Sequence, residues 1–326
     1  MKAIVIKQYG GPEVLVVEER PIPQPKEGQV LIEVKAFGIN QAEIYFRTGA
    51  WGEVAEISGI ECAGVVKSDP SGQFQPGQKV VAIVGGMGRS INGSYSEYLV
   101  APLSNVATVA TQLAWEHLAA IPESYATAWS CLHGNLSLQP GQTLMIRGAT
   151  SSLGQAAVNI AAHFGANVIA TTRNPGREDY LKAIGANKVL IEAPDIKARL
   201  TEHHAAGVDA VLDLIGNSTV LASLAMTGRN GRVCLAGFLG GGGPLTELEP
   251  VYQIPSGRHF SVFASALAIG SAEFPMAEIP FQEIVDLVAL NTYQAMPARV
   301  FDFNDIQEAH RMLESGQANG KIVIRV

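Results

Sequence analysis

Short apolar runs separated by turns fill the first third of the chain, and longer amphipathic runs then join them in strict alternation. The opening Met1–Gly10 reads as a strand with Lys inside it. Val30–Val34 alternates around polar residues as a half-buried strand does, and Glu61–Val66, Lys79–Val84 and Tyr95–Val100 are further strand-like runs. Pro12, the Pro-rich segment Pro21–Gly28, Ser71–Gly72, Pro76–Gly77 and Gly85–Gly86 punctuate them as turns. Many short strands between Gly and Pro turns predict a barrel-like or sandwich-like domain up to about residue 105.

Near residue 111 the pattern changes. Thr111–Ala120 and Pro122–Leu132 read as helices, the second with Pro at its first position. From Thr143 strands and helices alternate. Strands are predicted at Thr143–Arg147, Asn167–Thr172, Lys188–Ile191, Ala210–Leu214 and Arg232–Ala236. Helices are predicted at Ser151–Phe164, Glu178–Ile184, Ile196–His203 and Ser218–Met226. Such repetition implies a parallel sheet covered on both faces, and right-handed crossovers make it doubly wound. The alternation stops at the Gly-rich loop after Gly237. Ser261–Ala264 is a candidate further strand. The tail reads helix Phe281–Leu290, strand Ala298–Phe303, helix Asp305–Ser315 and strand Gly320–Val326.

Composition narrows the class. At 326 residues the chain is long for one core, so two domains are expected. Hydrophobic residues make up 47% and charged residues 16%, as in a globular enzyme. A net charge of −7 without a basic tract argues against nucleic acid and anionic membranes as partners. The N-terminus lacks a signal-peptide pattern and no run suits a membrane span, which points to the cytoplasm. Cys62, Cys131 and Cys234 are far apart and read as reduced, buried thiols.

The strongest local signal runs from Leu144 through Gly148-Ala-Thr-Ser-Ser-Leu-Gly154 into an Ala-rich helix. A strand that turns tightly into a helix N-terminus offers free N–H groups and a favourable dipole to phosphates. Against the dinucleotide fingerprint G-x-G-x-x-G, Ala149 and Ser151 replace the first two glycines and Gly154 keeps the third. Gly148, Ala149, Ser151, Ser152, Leu153 and Gly154 are the candidate phosphate contacts, with the Ser151 and Ser152 hydroxyls as added donors. The second strand ends at Thr172, followed by Arg173 and Asn174, where an NAD site places an acid. Arg173, assisted by Arg177, suits a 2′-phosphate, so NADPH is the expected cofactor, with Asp179 as an acid close by that speaks the other way.

Metal ligands are scarce. Residues 1–116 contain no His and one Cys, Cys62, and no four-Cys lobe exists. Neither catalytic nor structural zinc is expected. Without a Lewis acid, the chemistry shifts toward substrates that already accept hydride well.

Several fragments, in order along nearly the whole chain, resemble a known family. They are Gly10-Gly-Pro-Glu-Val14, Gly38-Ile-Asn-Gln-Ala-Glu-Ile-Tyr-Phe-Arg-Thr-Gly49, Gly59-Ile-Glu-Cys-Ala-Gly64, Gly93-Ser-Tyr-Ser-Glu-Tyr98, Tyr125-Ala-Thr-Ala-Trp129, Pro140-Gly-Gln142, Glu308-Ala-His310 and Gly320-Lys-Ile-Val323. Together the chain resembles the zeta-crystallin-like quinone oxidoreductases, the zinc-free branch of the medium-chain dehydrogenase/reductase superfamily. The resemblance implies an α/β fold. A GroES-like β-rich catalytic domain (1–119 and 265–326) would be formed by both chain ends around a Rossmann doubly wound domain (120–264). A cleft between them and a homodimer are implied as well. By position, Asn40 and Tyr45 would line the pocket beside the nicotinamide, and Thr127, Gly237, Phe238, Leu239 and Lys321 would contact the cofactor. The chain departs from the family in three places: Glu43 for a common Asp, Ser151–Ser152 for Gly–Gly, and no Tyr near Ile191–Glu192 to hold the 2′-phosphate. The implied reaction is NADPH-dependent reduction of a quinone or another α,β-unsaturated carbonyl compound, with Asn40 and Tyr45 as donors to the developing oxyanion. A 2-enoyl thioester reductase and a non-catalytic NADPH-binding protein remain open as alternatives.

Overall fold

The computed structural model describes Met1–Val326, and the chain divides into two units, Met1–Ala126 with Ser265–Val326 and Thr127–Ala264. The first division falls within the helix Pro122–Trp129, several residues after the 119/120 boundary that the resemblance implies.

In the first unit the strands are β1 (Lys2–Ile6), β2 (Leu15–Glu19), β3 (Gln29–Ile39), β4 (Glu61–Ser68), β5 (Lys79–Ile83), β6 (Tyr98–Pro102) and β7 (Val106–Thr108), joined by two from the far end of the chain, β14 (Arg299–Asp302) and β15 (Ile322–Arg325). β1 and β2 form a hairpin-like pair. The others form a sheet in the order β14-β15-β3-β4-β5-β7, with β6 also on β3. β3 is the spine: it pairs antiparallel with β4, β6 and β15. Its side chains from Ala36 to Ile39 are all buried, so it packs on both faces. The core around it joins Ile4, Val34, Phe37, Cys62 and Leu99 to Ile322 and Ile324.

The helices of this unit are α1 (Gln41–Thr48), α2 (Trp115–Leu118), α3 (Pro122–Trp129, shared across the division), α9 (Ser265–Ala268), α10 (Phe281–Ala289) and α11 (Ile306–Glu314). α1 starts where Asn40 turns extended and the Glu43 carboxylate accepts the Asn40 N–H at 2.8 Å, half of a capping box. It ends at Gly49, whose φ of 75° is left-handed. Under α11 lies a buried polar pair, the Tyr95 hydroxyl and His310 Nε2 at 2.9 Å, with the Tyr95 ring stacked on Phe37 at 4.7 Å. Burial, aided by the nearby Arg47 charge, lowers the His310 pKa to about 3.

The second unit is the doubly wound sheet. Strands β8 (Thr143–Arg147), β9 (Asn167–Thr172), β10 (Lys188–Ile191), β11 (Val208–Asp213), β12 (Thr227–Leu235) and β13 (His259–Val262) lie in the order β10-β9-β8-β11-β12-β13. All are parallel. Helices α4 (Ser152–His163), α5 (Glu178–Ala183), α6 (Ile196–Thr201), α7 (Val220–Met226) and α8 (Pro250–Gln253) connect them. The chain reverses direction across the sheet between β8 and β11, the place where such sheets bind ligands at the carboxyl ends of their strands.

Several elements differ from the sequence expectation. β2 and α1 carry no periodic signal long enough to assign. Thr111–Ala120 is helical only at Trp115–Leu118, because the Thr111 hydroxyl accepts the Leu113 N–H at 3.1 Å and holds the preceding residues in a turn. Tyr95–Val100 pairs as a strand only from Tyr98. The helix expected at Pro122–Leu132 ends at Trp129 and continues as a π turn over Ser130–Asn135. No helix is long and apolar enough to cross a membrane.

Candidate active site

In the second unit the segment Gly148–Gly154 forms a cradle at the carboxyl end of β8. Gly148 sits at φ 80°, and a Cβ there would lie 2.9 Å from Leu239 Cδ1. At Gly154 a Cβ would lie 2.6 Å from both Ala149 Cα and Gly148 O, so only glycine lets α4 approach the turn. Ser151 caps α4: its hydroxyl donates to Gly148 O at 2.9 Å and accepts the Gly154 N–H at 3.1 Å. That hydroxyl is therefore committed to the cap rather than offered outward. The N–H groups of Ser152 and Leu153 lie in the first turn of α4, have no intrahelical carbonyl, and belong to half-buried residues. They are the donors an anion would meet.

Two neighbouring segments complete this end of the sheet. Leu239 N–H bonds Leu214 O at 3.1 Å and Gly240 N–H bonds Ile215 O at 2.7 Å, which fixes the Gly237–Leu239 loop over the end of β11. Phe238 and Leu239 are exposed. After β9, Thr172 is buried, and its hydroxyl accepts the Asn174 N–H at 3.1 Å. The Asn174 side chain in turn accepts the Gly176 N–H at 2.9 Å. Arg173 is exposed and makes no ion pair or hydrogen bond. The Arg177 guanidinium lies 4.2 Å over the Tyr180 ring, and Asp179 is exposed in the first turn of α5. Thr127 is buried on α3.

The sequence pattern did not expose the network beneath the cradle. Arg147, the last residue of β8, is 3% exposed and pairs with both carboxylate oxygens of Glu192. It also donates to Ser223 Oγ at 2.9 Å and to Thr219 O at 3.1 Å. Ser223 donates to the fully buried Asp213 at 2.6 Å, and Asp213 also accepts the N–H groups of Ile215 and Gly216 and the Thr219 hydroxyl. Thr171 links this network to the cradle. Its hydroxyl donates to Glu192 at 2.8 Å and accepts the Gly148 N–H at 3.3 Å.

In the first unit Asn40 and Lys321 meet, and Glu61 joins them. Lys321 Nζ donates to Asn40 Oδ1 at 2.5 Å and pairs with Glu61, while Asn40 Nδ2 donates to Glu61 Oε1 at 2.9 Å. An ammonium on one side and a carboxylate on the other leave only one orientation for the amide. One Nδ2 proton of Asn40 remains for another acceptor. Glu61 and Glu43 are fully buried and Lys321 nearly so. The second oxygen of Glu61 accepts the Glu123 N–H at 2.8 Å. Glu43 accepts the Ile60 N–H at 3.1 Å besides that of Asn40. Burial pushes the Glu43 carboxyl up to about 8, with the Lys321 charge pulling against it and Glu61 pushing with it. Near neutral pH Glu43 therefore holds its proton, and Lys321 balances Glu61. Gly38 makes room for the ion pair, since a Cβ there would lie 2.4 Å from Glu61 Oε1 and from Lys321 Cε. Tyr45, one turn along α1, is half-buried and outside this cluster. Its ring packs on Trp51 at 4.8 Å and its hydroxyl makes no hydrogen bond. No group of three or more His, Cys, Asp or Glu side chains is arranged to hold a metal ion.

Comparison with known proteins agrees with this architecture. Residues 26–111 match the family model of the alcohol dehydrogenase GroES-like domain, and residues 152–278 match that of the zinc-binding dehydrogenases. The human protein named quinone oxidoreductase is 28% identical over 251 residues, covering 74% of each chain. The Escherichia coli quinone oxidoreductase, solved in complex with NADPH, superposes with a TM-score of 0.87 at 26% identity, covering 100% of both chains. The polyketide synthase GfsB of Streptomyces halstedii is 30% identical over 301 residues, which is 92% of this chain but 5% of that protein.

Proposed function

The chain belongs to the zinc-free, quinone oxidoreductase-like branch of the medium-chain dehydrogenase/reductase family, and we propose that it is a cytoplasmic NADPH-dependent reductase of quinones or other α,β-unsaturated carbonyl compounds. The observation that carries this reading is the Gly148–Gly154 cradle. A side chain at Gly154 would fill it, and the unpaired N–H groups of Ser152 and Leu153 open onto it.

The residues present fit a dinucleotide. Ser152 and Leu153, backed by the α4 dipole, would hold the pyrophosphate. Arg173, free of any intramolecular partner, would pair with the 2′-phosphate beside Asn174 and Arg177. Gly237, Phe238 and Leu239 would border the nicotinamide end, with Thr127 a further contact. When bound, NADPH supplies a hydride from C4 of its nicotinamide. Asn40 offers its remaining Nδ2 proton to the substrate oxygen, where negative charge collects. Glu61 and Lys321 keep that amide from turning. The Tyr45 hydroxyl, without another partner, is the second donor and the proton source. Lys321 acts through Asn40.

A specific observation favours a second substrate class. The chain matches a polyketide synthase over 92% of its length, which supports enoyl thioesters as acceptors. NADPH oxidation measured with a naphthoquinone, a simple enone, an enoyl thioester and an aldehyde, with NADH in parallel, separates these readings. We expect turnover with the quinone or enone. No turnover with any acceptor would rule out the catalytic reading and leave a binding protein. Asn40→Ala should lower kcat/KM by about a hundredfold and Tyr45→Phe by about tenfold. Unchanged turnover in both would remove their assignment.

A homodimer belongs to the same proposal. β13 is an edge strand whose Phe260 and Val262 are 42% and 55% exposed, an apolar edge suited to pairing with a second copy. Val262→Lys should halve the mass measured by light scattering; a wild-type protein already monomeric at micromolar concentration would refute the dimer.

A further inference from the structure

We propose that Glu192 and Arg147 set the coenzyme preference of the nucleotide site, an inference that rests on the NADPH reading above. In a doubly wound sheet the residue after the second strand reads the ribose. An acid there accepts from the 2′-hydroxyl and repels a 2′-phosphate. The second strand here is β9, and no acid follows it. The adjacent strand supplies one instead. Glu192 follows β10 directly, and its N–H donates to Thr172 O, the last residue of β9, at 2.8 Å. A carboxylate thus stands beside the position where the rule places it.

That carboxylate is already engaged. Arg147 holds both oxygens, and Thr171 donates to one of them. Arg147 cannot release Glu192 freely, because its guanidinium is buried at the end of β8 and would lose a charged partner in the interior. Its other neighbours, Ser223, Thr219 O and Asp213 at 3.8 Å, do not reach around to replace both bonds. Glu192 is therefore balanced in charge by Arg147, and both its oxygens are engaged. Arg173, exposed and unpaired, is left as the charge a 2′-substituent meets. The pair is neutral while both members are present, and removal of either exposes the charge of the other.

Substitution of either member should change discrimination between the two coenzymes. Dissociation constants for NADPH and NADH, read from quenching of tryptophan fluorescence, give the ratio directly. Glu192→Gln keeps the size and a bond to Thr171 while removing the negative charge. It should shift the ratio toward NADPH by roughly tenfold. Arg147→Met frees the Glu192 charge and should shift the ratio toward NADH by a similar factor. Should Arg147→Met fail to fold, the near-isosteric Glu192→Gln decides the matter alone. A ratio unchanged in Glu192→Gln, or an equal change for both coenzymes, would overturn the inference and reduce the pair to a structural tie. A wild-type protein that binds neither nucleotide would instead overturn the nucleotide site itself.

Discussion

Charge is buried in both units, but by different means. In the first, one ammonium, Lys321, faces two carboxyls, and the balance is reached because Glu43 keeps its proton. In the second, a guanidinium with five donors reaches Glu192, Ser223 and Thr219 O together, and Asp213 is saturated by hydroxyl and backbone donors. Lysine is a compact point charge that here meets one ionised carboxylate, whereas arginine divides its planar fork among several partners. The first cluster should therefore be brittle and pH-dependent. A change in the second should instead alter what the site selects.

The largest effect is expected from Lys321→Met. It leaves Glu61 buried without its cation and should cost about 3–5 kcal/mol in a urea titration, with most of this recovered in the double variant Lys321→Met, Glu61→Gln. Loss no greater than that of an exposed substitution would show that water reaches Glu61 and would remove the contrast. Next, Gly154→Ala forces a Cβ within 2.6 Å of Ala149 and Gly148. It should weaken NADPH binding at least tenfold by shifting the cradle, as read by the same fluorescence quenching.

The pH response sharpens the comparison further. Glu43 titrates near 8 when folded and near 4.5 when unfolded, so between these values the folded state binds the extra proton and stability falls as pH rises. His310 titrates near 3 when folded and 6.5 when unfolded, so the unfolded state binds the extra proton there and stability falls as pH drops. The two windows overlap between about 4.5 and 6.5, where they oppose each other, and the first unit should be most stable there. Denaturation midpoints from pH 3 to 9 check this. Glu43→Gln should flatten the upper limb and His310→Phe the lower one. The smallest effect belongs to the exposed pairs Lys182–Glu178 and Arg325–Asp302. Breaking either should leave the midpoint unmoved within error.

The doubly wound sheet was legible in the sequence because each of its strands is a compact apolar run followed by a helix-period segment. Gly148–Gly154 was legible for the same reason: the turn is local. Asn40 and Lys321 came from a resemblance, and nothing in their spacing announces that residues 40, 61 and 321 converge. The Arg147 network leaves only a trace in the sequence. The apolar strands β8 and β11 each end on a charged residue, Arg147 and Asp213, and Glu192 follows β10 directly. Charged residues at the carboxyl ends of neighbouring parallel strands lie side by side, so the pattern could have been read once the strand order was assumed. α1 leaves no periodic signal because it has only eight residues, and its start depends on Asn40 and Glu43 bonding across one turn.

The place of β15 between β14 and β3 bears on how the molecule is made. Residues 127–264 contain all six strands of their sheet in one stretch, so that unit can close while synthesis continues. The unit begun by Met1 cannot. Its spine, β3, waits for Ile322–Arg325, nearly three hundred residues later, and until then the edge that β15 covers stays open, with Phe37 and Ile39 lacking the packing of Ile322 and Ile324. Strand β3 is thus made early and completed late, and throughout that interval it leaves an apolar edge uncovered.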